Sequence, residues 1–148
     1  AHAGWRGLQA GVLERTVQAL QAEPSDLMAW LGPAIGATAF EVGEEVRQAF
    51  MQYDVAAEAA FQPSPNAGKW LADIYLLARQ RLNALGLTQV SGGEYCTYSD
   101  AERFFSGRGL PEDMAASSSI RFNSSAMAFN EKPFWRMVEI VYLCARVN

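Results

Sequence analysis

The sequence Leu27-Met28-Ala29-Trp30-Leu31, followed by Gly32 and Pro33, decides how the rest of this chain is interpreted. Five consecutive apolar residues ended by a Gly-Pro pair are typical of a buried strand. The segments on either side have helical periodicity instead. The alternation of helical and strand-like segments from Leu8 to Val90 predicts an α/β fold with mixed α+β layers.

Three amphipathic helices are predicted around this strand. The first runs from Leu8 to about Ala22, the second follows a short strand over Phe40–Val42, and the clearest runs from Trp70 to Leu85. Arg79 and Arg81 fall on the polar side of the last helix, where we expect them to face solvent. A third strand is predicted over residues 87–90.

Composition limits the class of protein. The chain has 148 residues, of which 50% are hydrophobic and 19% are charged, with a net charge of −4. This balance fits one globular domain and argues against an electrostatic nucleic-acid binder. No apolar run reaches the ~20 residues that span a bilayer. Cys96 and Cys144 lie far apart without CxxC spacing, so they predict neither a disulfide framework nor a zinc site, and we expect a cytoplasmic protein.

The only histidine, His2, lies in the stretch AHAGWRG at residues 1–7. Small neighbours leave its imidazole uncrowded, and a neutral imidazole is the commonest protein ligand for metals. Arg6 offers a fork of donors suited to phosphate or carboxylate, and a helix beginning after Gly7 would add backbone amides nearby. From these residues alone, an ordinary surface or core histidine is the commoner case. Pairing of Arg6 with a carboxylate is as good an interpretation as a substrate role.

Five strings occur in one order over residues 1–106. They are HAGWRGL at 2–8, LGPAIG at 31–36, FEVG at 40–43, GGEYCTY at 92–98 and FFS at 104–106. In these strings the chain resembles the multicopper polyphenol oxidoreductase (laccase-like) family, also known as the purine nucleoside phosphorylase or peptidoglycan editing factor family. The resemblance implies a partial single domain that lacks its N-terminal part.

The resemblance also implies a metal site. His2 would be the catalytic histidine and the last of three metal ligands, and the other two, a His and a Cys, would lie upstream of Ala1. Zinc is expected rather than copper. Arg6 would contact phosphate, and Trp5 would offer a stacking surface for a purine base. Cys96 belongs to a motif outside the metal triad and is expected to be a buried packing residue.

The activity that the resemblance implies is metal-dependent phosphorolysis of purine nucleosides, with adenosine deamination. The partners would then be a purine nucleoside and phosphate, with neither nucleic acid nor membrane. The alternatives are copper-dependent oxidation of a phenolic small molecule and editing of peptidoglycan precursors. Laccases need several histidine-rich copper sites, so a single histidine favours nucleoside chemistry. A fourth alternative is an inactive remnant or interaction fragment.

Residues 107–148 depart from the family pattern, which continues after FFS with Tyr-Arg-Arg and then Thr-Gly-Arg. Codons permitted for Arg108 to Ser124 spell a Thr-Gly-Arg motif and an apolar strand when they are read two nucleotides later. We therefore hypothesise that the tail is out of frame from near Gly107. The apolar stretch from Phe134 to Val147 is expected to form a helix without a function.

Overall fold

Residues 1–100 and the backbone of residues 141–145 are described by a computed structural model of the chain. The described part contains four α-helices, six strands and two 3₁₀ turns at Pro24–Asp26 and Val55–Ala60. The helices are α1 (Trp5–Gln9), α2 (Val12–Leu20), α3 (Glu44–Tyr53) and α4 (Ile74–Ala84). The strands are β1 (Leu27–Leu31), β2 (Glu41–Gly43), β3 (Phe61–Pro63), β4 (Lys69–Ala72), β5 (Gln89–Gly92) and β6 (Val141–Ala145). The predicted mixture of helices and strands is confirmed.

The first sheet has β1 at its centre, in the order β5-β1-β6. β1 runs parallel to β5, with Ala29 opposite Val90. The predicted strand over residues 27–31 is confirmed, and its alternate residues Leu27, Ala29 and Leu31 are buried. Because β1 and β5 are parallel, the loops that follow them lie at the same end of this sheet.

The second edge of β1 is paired with β6. The two strands are antiparallel, with Ala29 opposite Leu143. The helix expected over Phe134–Val147 is therefore wrong for Val141–Ala145. Branched and aromatic residues such as Val141 and Tyr142 favour extended backbone when a sheet edge offers hydrogen bonds. The rest of that stretch, and the predicted domain boundary at residues 106 and 107, lie outside the described residues.

The second sheet is antiparallel, in the order β2-β4-β3. Its strand β4 occupies residues that the sequence assigns to the helix from Trp70, so that prediction is wrong by four residues at its start. Pairing with strands on both sides holds Lys69–Ala72 extended. Asp73 then begins α4, where its carboxylate accepts a hydrogen bond from Leu76 N at 2.9 Å.

The helix predicted from Leu8 to Ala22 is divided into α1 and α2. Gly11 lies between them with φ of 81°, a left-handed backbone that glycine adopts without strain. α1 begins at Trp5, so the expected helix start just after Gly7 is also wrong. Leu8, Leu13 and Val17 of this pair are buried and pack into the core.

The buried face of α4 contains a charge, contrary to the prediction that Arg81 faces solvent. Arg81 is 6% exposed, and its Nη1 lies 2.8 Å from Glu14 Oε1 of α2. Its guanidinium also lies over the Tyr53 ring of α3, 3.5 Å from the ring centroid. Arg81 therefore joins three helices. Among the residues described, no helix is long and apolar enough to cross a membrane.

Candidate active site

The stretch at residues 1–7 places its polar side chains at the surface. Ala1 and Ala3 are buried, whereas His2 between them is exposed. Trp5 is partly buried against the core, and the exposed Arg6 stacks on its ring at 4.9 Å from the centroid. The local fold therefore anchors this stretch by its alanines and presents His2 and Arg6 to solvent.

A metal ion would find one ligand here rather than a complete site. Zinc needs three or four protein ligands in most sites. Within residues 1–100, no group of three His, Cys, Asp or Glu side chains is arranged to hold a metal ion. The described residues therefore do not fit a metal by themselves, and His2 remains a predicted ligand whose partners would lie outside them.

A separate cavity of about 340 Å³ lies beside the loops that follow β1 and β5. Gly36 and Ala37 line it after β1, and Gly93–Cys96 line it after β5. The remaining lining residues are Tyr75, Leu76 and Arg79 of α4 and Asp73, which caps that helix. Ligands of open α/β sheets bind outside the carboxyl ends of parallel strands, which is where these two loops meet. The cavity is thus a candidate binding site on topological grounds.

The exposure of Cys96, which lines this cavity, differs from the prediction. It was expected to be buried, but it is partly exposed. Its Sγ accepts hydrogen bonds from Gly36 N at 3.1 Å, from Ser99 N at 3.4 Å and from Ser99 Oγ at 3.3 Å. Burial raises the pKa of the Cys96 thiol, but these bonds and one from the Tyr98 backbone outweigh it, so the pKa is below its usual value.

We expect the lowered pKa of Cys96 to appear in its alkylation by iodoacetamide. The thiolate is the reactive form, so the rate should reach half its maximum at a lower pH in the folded chain than in the urea-unfolded chain. Peptide mass spectrometry distinguishes alkylation of Cys96 from alkylation of Cys144. Ser99→Ala removes one donor and should move the midpoint towards the unfolded value. A folded midpoint at or above the unfolded one would contradict this explanation.

Two residues of the cavity were not identified as functional from the sequence. Both lie on the helix predicted from Trp70, and Arg79 is expected on the face of that helix that is exposed to solvent. This expectation is wrong, because Arg79 Nη1 donates to Val90 O at 3.0 Å and Nη2 donates to Gly92 O. Their four-residue spacing on one helix was the available signal.

The structure does not bring all the predicted site residues together. His2, Trp5 and Arg6 are absent from the described lining of the cavity. Glu41 lies on β2, also outside this cavity, and accepts hydrogen bonds from Ser64 and from Asn66 Nδ2, the latter at 2.7 Å. Those two bonds, with a smaller contribution from Lys69, lower the pKa of the Glu41 carboxyl against a desolvation effect that raises it.

Comparison with known proteins gives a consistent set of relatives. Residues 1–116 match the family described as multi-copper polyphenol oxidoreductase laccase. The chain is 59% identical over 108 residues to a purine nucleoside phosphorylase of Pseudomonas aeruginosa, covering 73% of this chain and 45% of that protein. It is also 59% identical to the purine nucleoside phosphorylase YfiH of Escherichia coli, covering 73% of this chain and 44% of the relative.

Solved structures agree with these sequence relatives. A Neisseria meningitidis protein of known crystal structure is 49% identical, with a TM-score of 0.70, over 73% of this chain and 44% of that one. YlmD from Geobacillus stearothermophilus is 28% identical, with a TM-score of 0.66, over 73% and 42%. The chain thus spans less than half the length of these relatives. On the match over residues 1–116, the chain belongs to the multi-copper polyphenol oxidoreductase laccase family.

Proposed function

We propose that this chain carries the C-terminal part of a metal-dependent purine nucleoside phosphorylase site, in which His2 is one of three metal ligands. The observation that carries the proposal is the 59% identity to a purine nucleoside phosphorylase over 108 residues. The exposure of His2 beside the exposed Arg6 is compatible with it. The other two ligands, a His and a Cys, would come from residues that this sequence does not include.

The chain's own residues suit parts of this reaction. Phosphorolysis moves the ribose C1′ from a purine nitrogen to a phosphate oxygen, so the site must hold an anion and a planar base. Arg6 is exposed and has no salt-bridge partner within the described residues, which leaves its guanidinium available to phosphate. The Trp5 ring is partly exposed and would stack on the base. A bound zinc ion would act as a Lewis acid at this site.

A chimera tests this function most directly. The upstream part of the P. aeruginosa relative would precede residues 1–106 of this chain, followed by the relative's own C-terminal residues. We expect the chimera to release hypoxanthine from inosine only when phosphate is present. Ammonia release from adenosine would test the accompanying deaminase activity. A folded chimera that releases no hypoxanthine would contradict the proposal.

A second chimera that keeps residues 107–148 tests the tail. We propose that this segment is out of frame, so that it replaces residues that the family uses for closing the domain. The second chimera should then be less active than the first. Equal activity of the two would show that the tail is compatible with function.

Oxidation of phenols is the second candidate, because the family description names a polyphenol oxidoreductase. The chain has one histidine, whereas multicopper oxidation needs several imidazole ligands, so we place this activity behind nucleoside chemistry. Oxygen uptake with a phenolic substrate and added copper would separate the two. Editing of peptidoglycan precursors remains a third proposal, and an inactive remnant is the outcome if neither chimera has any activity.

A further inference from the structure

Two side chains of α4 bind the backbone of both loops at the carboxyl ends of β1 and β5. Tyr75 Oη accepts a hydrogen bond from Ala34 N at 2.5 Å and donates one to Tyr95 O at 2.7 Å. One helical turn later, Arg79 donates to Val90 O and Gly92 O. A single face of α4 therefore fixes the loop after β1 and the end of β5 with its following loop.

The same two loops are also bound to each other. Thr97 N donates to Ala34 O at 2.9 Å, and Gly36 N donates to Cys96 Sγ. Their approach is close, because a Cβ added at Gly36 would lie 3.0 Å from Cys96 Cβ. The loops that line the cavity have little room to change shape while these contacts persist.

The phenol of Tyr75 can make both of its bonds only while it is protonated. Burial, with the nearby Cys96 and Asp73, raises its pKa above the usual value, although the bond from Ala34 N acts in the opposite direction. Because the pKa of Tyr75 is higher in the folded chain than in the unfolded chain, the neutral phenol contributes its full stabilisation of the fold at any pH below the unfolded pKa of about 10. This contribution is lost as the pH rises through the folded pKa. The bonds therefore persist through the neutral range.

We propose that the cavity between the loops after β1 and β5 belongs to the nucleoside site, and that Tyr75 and Arg79 are positioning residues that hold these two loops in the shape that substrate binding requires. This inference rests on the proposed function. Loops at this end of a parallel sheet carry ligand contacts, and small displacements of such contacts reduce binding or turnover strongly. Neither residue needs to touch the reacting atoms, because both act through backbone groups.

The first test measures the loops themselves in the full chain. In Tyr75→Phe, amide hydrogen exchange over residues 34–37 and 93–98 should become roughly tenfold faster, since one or two hydrogen bonds are lost. Tyr53→Phe is the matched control, because Tyr53 is 60% exposed and its hydroxyl makes only a 3.5 Å contact with Glu14. Unchanged exchange in both loops would overturn the proposal.

The second test uses the active chimera and separates positioning from simple stability. Tyr75→Phe should raise the KM for inosine roughly fivefold or more with a smaller change in kcat, and Arg79→Lys should give an intermediate effect because one ammonium replaces two aligned donors. A chimera that is inactive without any substitution would refute the proposed function. Tyr75 and Arg79 would then have no nucleoside site to support. An active chimera whose KM is unchanged by Tyr75→Phe would overturn the positioning role alone.

Discussion

Replacement of Arg81 by methionine is expected to lower the free energy of unfolding by about 3–5 kcal/mol. Arg81 is 6% exposed and the Glu14 side chain is 17% exposed, so removal of one leaves the other charge poorly solvated and unpaired. The lost stacking on Tyr53 adds to the effect. In a domain of this size the loss should lower Tm by on the order of 10 °C.

A double substitution distinguishes a buried charge from a loss of packing. Within the described residues, Glu14 Oε2 and Arg81 Nη2 are buried without a hydrogen-bond partner, so the ion pair is incompletely satisfied. Glu14→Met together with Arg81→Met should therefore recover much of the lost stability. Glu58→Gln is the control, because Glu58 is 61% exposed and its contact with Arg47 should contribute at most about 1 kcal/mol. A loss below about 1 kcal/mol in Arg81→Met would contradict this account.

In the active chimera, His2→Ala is expected to reduce phosphate-dependent hypoxanthine release by on the order of 100-fold or more. Substitution of groups that merely support a metal ligand typically costs 10–100-fold, and loss of a ligand should cost at least as much. His2 is exposed, so the fold should remain. Gln9→Ala, an exposed change in α1, is the control. Retention of full activity in His2→Ala would show that His2 is not a ligand.

Local sequence patterns predicted the elements whose structure depends on neighbours along the chain. The five apolar residues of β1 form a strand in which the alternate residues Leu27, Ala29 and Leu31 are buried in the core. The helix at Glu44–Tyr53 follows its apolar spacing and begins with Glu44 and Glu45, which favour a helix N-terminus. These features need no information from distant residues.

The wrong predictions share a different cause, which is contact between distant parts of the chain. Arg81 has its partner 67 residues away at Glu14, and Arg79 bonds to carbonyl groups that only the folded β5 presents. The start of α4 is displaced because Lys69–Ala72 pair with two strands. Helical periodicity cannot reveal such partners, and it assigned both arginines to solvent.

The sequence also predicted only part of the candidate site. The His2 stretch and the loops at residues 32–36 and 92–98 were recognised from motifs, whereas the cavity between those loops depends on the parallel pairing of β1 with β5. Tyr75 was unrecognised because its hydroxyl acts on backbone atoms of Ala34 and Tyr95. Backbone acceptors carry no sequence signature.

The central claim is that His2 completes a metal site whose other ligands lie outside this sequence, and metal analysis tests it most directly. Inductively coupled plasma mass spectrometry would be applied to the active chimera, to its His2→Ala variant and to the 148-residue chain. We predict about one zinc ion per chimera chain, and far less than one in the other two. A full equivalent of metal in the 148-residue chain, or in His2→Ala, would contradict the account.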